Sequence, residues 1–181
     1  MAGRSRVMRL ALLAALMLSA CATTPPAADA PAERIAYDTN SWGRVVSGWI
    51  VGRDGAGTWY ERVNDSGQPG PVGPYELRYH EFDVGPAQMA ELEAVLANLP
   101  DSAPNPLDCE MFRTDDLYGT LRLTHGATTE ELAYNQGCRD ASYQRFMGQL
   151  LAADALVAEW GKAEPVSRTE RYASDNTPVS K

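Results

Sequence analysis

The chain has 181 residues, with 16 lysines and arginines against 24 acids and a formal charge of −8 at pH 7. So acidic a body lacks the basic face that phosphate neutralisation demands, and nucleic acid is not an expected partner. The length, with 44% hydrophobic residues, suits one domain around one core, and no internal repeat divides it.

In chain order, Met1 to Arg9 holds three arginines and no acid, and Leu10 to Ala20 is wholly apolar or small. That is the layout of a secretory n-region followed by an h-region. A membrane span is the rival reading, yet eleven residues at about 1.5 Å each reach roughly 16 Å, half of a ~30 Å hydrocarbon core. An amphipathic targeting helix would intersperse basic residues among the apolar ones, whereas Arg4, Arg6 and Arg9 all precede them.

The apolar run stops at Leu18-Ser19-Ala20-Cys21. This tetrapeptide resembles the lipobox of bacterial lipoproteins: an aliphatic residue, two small residues, then cysteine. The resemblance implies cleavage before Cys21, a diacylglycerol on its thiol and an acylated new amino terminus. Two or three chains, at about 0.8 kcal/mol per buried methylene, hold a protein far more firmly than one. Ala22 follows the cysteine in place of the aspartate that favours inner-membrane retention in Gram-negative lipoproteins. The resemblance therefore implies an outer-membrane protein, lipid-anchored, with its domain facing the periplasm. Cleavage would leave 161 residues and move the formal charge to −11, so the tether, not the surface, would supply membrane affinity.

Ala22 to Glu33 has five alanines, three prolines and no large apolar side chain, too little to offset the entropy of ordering it. Residues 21–39 are expected to be an extended lipidated linker, 40–163 a single globular domain and 164–181 a disordered tail. Within the domain, Val45 to Arg53 and Thr58 to Val63 read as strands, joined at Asp54-Gly55-Ala56-Gly57 by a hairpin turn. The same glycines do not make a phosphate loop, since neither Lys-Ser/Thr nor a helix follows. Asn64 to Pro74 reads as a long surface loop without the ligand spacing of a calcium site. A third strand spans Tyr75 to Val84, where Leu77 and Tyr79 fall on one parity and Phe82 and Val84 on the other, which suggests a bulge or a strand that ends early.

Gly85-Pro86 opens a helix carrying Met89, Leu92, Val95, Leu96 and Leu99, ended by Pro100. Leu117 to Thr124 and Glu131 to Asn135 form a second hairpin about His125-Gly126. The last element is an amphipathic helix with Asp140 as N-cap, a stripe of Tyr143, Phe146, Met147, Leu150, Leu151, Leu156, Val157 and Trp160, and Gly161 as its end. The order β-β-β-α-β-β-α predicts an α+β domain: an antiparallel sheet of about five strands with two helices packed on one face.

Cys109 and Cys138 are the even pair left when Cys21 is set aside, in a chain marked for an oxidising compartment. A hairpin register with Tyr118 opposite Leu132 brings them together at its open end, so a disulfide is expected. A metal site would need more ligands than His80 and His125 supply, and the spacing is not that of a C-x-x-C redox pair. No catalytic, cofactor or metal residues are assigned, because nucleophile elbow, H-E-x-x-H and dinucleotide patterns are all absent. Glu81, Asp83, Asp108, Glu110, Asp115 and Asp116 read as solvated acids, His125 as a turn residue, and His80 as ambiguous between strand and site. A hydrolase is accordingly the least favoured class.

The first hairpin is the unusual feature. Trp42, Trp49, Trp59 and Tyr60 crowd it among Arg44, Arg53 and Arg62. If Trp49 and Trp59 face the helices they are core; if exposed, Trp49, Trp59, Tyr60, Arg53 and Arg62 form a binding patch, since tryptophan and arginine dominate interface hot spots and aromatics stack on sugars. The body resembles small proteobacterial envelope lipoproteins of no named family, with an Ala/Pro linker and one disulfide-bearing domain. The expectation is a non-enzymatic envelope lipoprotein with an accessory, assembly or protein-binding role. The alternative is a module for a cell-wall glycan or small apolar molecule.

Overall fold

The computed structural model describes residues 31–64 and 73–179. Cys21 and the rest of the lipobox lie outside the described residues. No helix among the described residues is long and apolar enough to cross a membrane.

The fold is α+β, built on one antiparallel sheet of seven strands in the order β6-β5-β1-β2-β3-β4-β7. In chain order the elements are β1 (Arg34–Ser41), β2 (Arg44–Gly52), β3 (Ala56–Asn64), β4 (Tyr75–Asp83), helix α1 (Pro86–Leu96), β5 (Tyr118–His125), β6 (Thr128–Asn135), helix α2 (Ala141–Ala163) and β7 (Arg168–Tyr172). The two strands beyond the expected five are β1 and β7, in stretches read from composition as linker and as tail. β1 is no peripheral addition: it lies between β2 and β5, and its Ile35, Tyr37 and Thr39 alternate inward with exposures of 4%, 1% and 4%.

One row of side chains organises the core. Leu132, Leu121, Tyr37, Trp49, Trp59 and His80 are register partners across six adjacent strands, and all are buried. Helix α2 is seated against this row. A β-carbon on Gly161 would stand 2.3 Å from Trp59 Cβ, so Gly161 lies inside the helix at its closest approach to the sheet rather than ending it. Trp160 meets Phe82 edge-on at 6.1 Å, and the His80 Nδ1–H donates to the Glu164 carbonyl at 2.7 Å just past the helix. Helix α1 begins at Pro86 with Gly85 as N-cap, buries Met89 and Leu92, and contacts α2.

β4 shows why its parity changes. Its pairing with β3 runs unbroken from Tyr75↔Asn64 to Asp83↔Ala56, so there is no bulge. Instead the strand serves two apolar layers: His80 and Phe82 face α2, whereas Tyr75 and Leu77 are buried on the opposite face beside β7. Tyr172 stacks on Tyr75 at 4.9 Å and Arg62 covers the same ring at 4.2 Å.

Cys109 and Cys138 form the disulfide, their Cα atoms 5.8 Å apart. The β5–β6 register differs from expectation: Tyr118 pairs with Asn135 rather than Leu132. The correspondence shifts at Thr114-Asp115-Asp116, which stand out as a turn, so that Phe112 comes opposite Cys138. Asp140 occupies the N-cap position of α2, but its carboxylate oxygens accept from the Glu110 and Met111 amides at 3.0 and 3.1 Å instead of from the helix. It holds the disulfide loop down while keeping a negative group at the positive helix end.

Candidate functional site

The patch expected on the first hairpin comes apart in three dimensions because strand residues alternate faces. Trp49 and Trp59 are directly opposed and buried at 0% and 3% exposure, so both belong to the core. Tyr60 and Arg62 point to the other face. Arg53 sits exposed in the β2–β3 turn, where its backbone N–H donates to the Glu33 carbonyl at 2.9 Å.

The Trp49 indole N–H donates to Asp154 Oδ1 at 3.1 Å. Burial pushes the Asp154 carboxyl above its ordinary value, against the opposing pull of that hydrogen bond and of Lys162. A raised native value means that the folded state holds the proton more tightly than the unfolded chain. Stability is therefore lost as pH climbs from the ordinary carboxylate value through the raised one. Asp154→Asn keeps an oxygen for the indole and removes the charge, so it is expected to stabilise the fold at pH 7 and to change nothing at pH 3. Urea unfolding at both values checks this; an unchanged midpoint at pH 7 refutes it.

Behind Trp49, the Tyr134 hydroxyl lies 2.7 Å from both Thr39 Oγ1 and the Tyr37 hydroxyl and 3.0 Å from the Asp38 carbonyl. Burial pushes Tyr37 up to about 12 and raises Tyr134 further, so both stay neutral phenols. This buried network is internally satisfied and serves the core.

The opposite face of the sheet carries the site. Tyr60 lies flat across Gly48, where a β-carbon would fall 2.3 Å from its hydroxyl. Burial, then the nearby Asp38 charge, raises it to about 12. Its ring neighbours Tyr79 at 5.5 Å, and the Arg168 guanidinium caps Tyr79 at 3.6 Å. Glu170 accepts from the hydroxyls of Tyr79 and Tyr172 at 2.8 and 2.9 Å and pairs with Arg168. Towards β5, Asp38 accepts from Thr120 at 2.5 Å and Arg122 at 2.8 Å, and Arg122 also donates to Glu131 at 2.9 Å. Burial works against the Arg122 charge, but the bonds to Asp38 and Glu131 outweigh it and raise its pKa. The result is a ribbon of tyrosines and paired charges, each held in place by its neighbours.

Concave space is modest. A hollow of about 310 Å³ lies between Asp38, Ile50, Tyr60 and Arg122, at the lower end of the ~300–1,000 Å³ of small-ligand pockets. A wider hollow, about 990 Å³, runs along β7 among Glu76, Arg78, Arg171 and Val179, where Glu76 is already paired with both arginines. Neither gathers the residues of a hydrolase. Glu81 and Asp83 stand at the β4 end opposite to Asp108, Glu110, Asp115 and Asp116, and Asp116 is paired with Arg139 at 2.5 Å. His80 bonds a carbonyl rather than an acid, and Nδ1 of His125 is buried without a partner among the described residues. Cys109, Cys138 and Asp140 cluster closely, but the sulfurs are joined to each other and the carboxylate is engaged by two amides.

Of the patch assigned from sequence, Tyr60 and Arg62 thus remain on the site, while Trp49, Trp59 and Arg53 leave it. Asp38, Tyr79, Arg122, Arg168 and Tyr172 were missed. For Tyr79, Arg168 and Tyr172 the signal was the alternation in Tyr75-Glu-Leu-Arg-Tyr79 and Arg168-Thr-Glu-Arg-Tyr172, which puts Tyr79 with Tyr75 on one face of the first strand and Arg168 with Tyr172 on one face of the second. No protein-family model matches the chain, and none of the curated proteins is found to be similar to it.

Proposed function

We propose that the protein is a non-enzymatic cell-envelope lipoprotein, acyl-anchored through Cys21 in the outer membrane, whose domain docks a protein partner in an accessory or assembly role from the periplasmic side. In this reading both helices lie on the face that buries Trp49 and Trp59, leaving the tyrosine face for the partner. The observation that carries it is the Tyr60–Tyr79–Arg168 stack, since preorganised tyrosine and arginine are the residues that concentrate binding energy at protein interfaces. The same stack disfavours the glycan reading: the Tyr79 face is covered by Arg168, and Tyr75, beneath Arg62, is only 2% exposed. Sugar rings would lack a bare aromatic plate there.

The test is a native-detergent pull-down of the acylated full chain. Tyr79→Ala is expected to stay in the membrane fraction while weakening partner recovery about 30-fold, the scale of a hot-spot residue. Cys21→Ala is expected to leave a folded domain in the soluble fraction. Membrane attachment of Cys21→Ala without acyl label would refute the anchor, and recovery unaffected by Tyr79→Ala would refute the docking face.

A further inference from the structure

The two ends of the sheet differ in character. β1 enters at Arg34, opposite Gly52 and Thr124, so the segment leading from Cys21 joins the domain at that end. The other end lies roughly 26 Å away, eight residues of β1 at about 3.3 Å each. It is built from the Trp42-Gly43 turn, the loop of residues 105–117, the start of β5 and the start of α2. Among the described residues, five of the eight large exposed apolar side chains gather here: Trp42 at 63% exposure, Leu107 at 88%, Met111 at 62%, Phe112 at 46% and Tyr118 at 37%. Scattered exposed apolar residues need no explanation, but a group at one end of a domain does.

These residues are held in a connected frame. The Gly43 N–H donates to the Tyr118 hydroxyl at 2.9 Å, which ties the Trp42 turn to β5. Tyr118 and Phe112 both pair with the short segment from Asn135 to Cys138, and the Arg139 N–H donates to the Met111 carbonyl at 2.8 Å. The disulfide and the Asp140 carboxylate fix the loop from two further directions. Exposed apolar side chains on a braced loop are preorganised for contact.

Trp42 adds an independent sign. With φ of 51° at Trp42 and 71° at Gly43, the two-residue turn requires left-handed backbone at both positions. Asparagine, aspartate or glycine meets that demand at the first position without strain, and a bulky indole does not. The turn alone gives no reason for tryptophan.

The surrounding charge selects what could sit here. Asp108, Glu110, Asp115, Asp116 and Asp140 outnumber Arg44, Arg113 and Arg139 around the apolar group, and Arg139 is already paired with Asp116. Such a rim repels anionic lipid headgroups and a second copy of itself, and attracts a basic one. We propose that this end, centred on Trp42, Met111, Phe112 and Tyr118, is a second docking surface for a protein whose contacting patch is apolar and rimmed by lysine or arginine. It stands independently of the tyrosine face, with which it shares no residue.

Site-specific photocrosslinking in the lipidated full chain, in intact cells of the native host, tests it. A benzophenone side chain at position 42 or 111 is expected to join the same protein, through a peptide with apolar residues flanked by lysine or arginine. One at exposed Glu159, on the far part of α2, is not. Trp42→Asn, which suits the turn, is expected to keep or raise Tm and to cut crosslinking from position 111 about tenfold; Glu110→Lys is expected to cut it as well. The proposal is overturned by an adduct to lipid, to a second copy or to an acidic peptide, by no adduct, or by a yield indifferent to Trp42→Asn. A Tm lowered by Trp42→Asn also overturns it, because the indole is then structural.

Discussion

Trp49→Ala is expected to cost about 4 kcal/mol, the usual scale for truncating a buried tryptophan and a large share of the ~5–15 kcal/mol of a typical domain. The side chain is 0% exposed, stacks on Tyr37 at 5.6 Å and opposes Trp59 across β2 and β3. Its removal opens a cavity in the middle of the six-strand row and strips Asp154 of its indole donor. Trp49→Phe keeps most of the volume while removing the N–H donor, and is expected to cost about 1–3 kcal/mol. Urea unfolding at pH 7 measures both. A loss below about 1 kcal/mol for the alanine variant would mean that the core does not depend on this residue.

The second large effect is that of the disulfide. Cys109 and Cys138 are 29 residues apart, and closing that loop in the unfolded chain is worth about 3.6 kcal/mol on the chain-entropy model. The double alanine variant is expected to lose about that much, with the loss appearing in the wild type only when reductant is present. Because the bridge also braces the loop of residues 105–117, proteolysis within that loop is expected to rise before the sheet unfolds. Identical midpoints with and without reductant would show that the bridge does not constrain the unfolded chain.

The parts legible in sequence were those governed by local rules. Alternation and turn chemistry located β2, β3, β5 and β6, the proline at the start of α1 marked its first turn, and cysteine parity led to the disulfide. β1 was missed because alanines and prolines precede it and its apolar residues, Ile35 and Tyr37, are few. β7 was missed for a different reason. Arg-Thr-Glu-Arg-Tyr has no aliphatic residue, and its place in the sheet is supported by Arg168 on Tyr79 and Tyr172 on Tyr75, partners far apart in the chain. Alternation likewise showed that Trp49 and Val51 share a face but not which face is covered. That is settled by Asp154 and Gly161 on α2, over a hundred residues later. The parity change in β4 was visible, yet a bulge and a strand shared between two apolar layers produce the same pattern.

That shared strand has a consequence for how the chain is assembled. β7 is synthesised after every other strand, so until it arrives β4 presents an open row of N–H and C=O groups with Tyr75 and Leu77 uncovered beside it. An emerging chain therefore carries an adhesive edge from the completion of β4 at Asp83 until Arg168 follows, the kind of surface on which neighbouring chains mispair and which chaperones shield. Cover for β4 comes from five residues, Arg168 to Tyr172, whose stacked guanidinium and phenol groups shield Tyr75 and Tyr79 without adding a hydrophobic strand of their own.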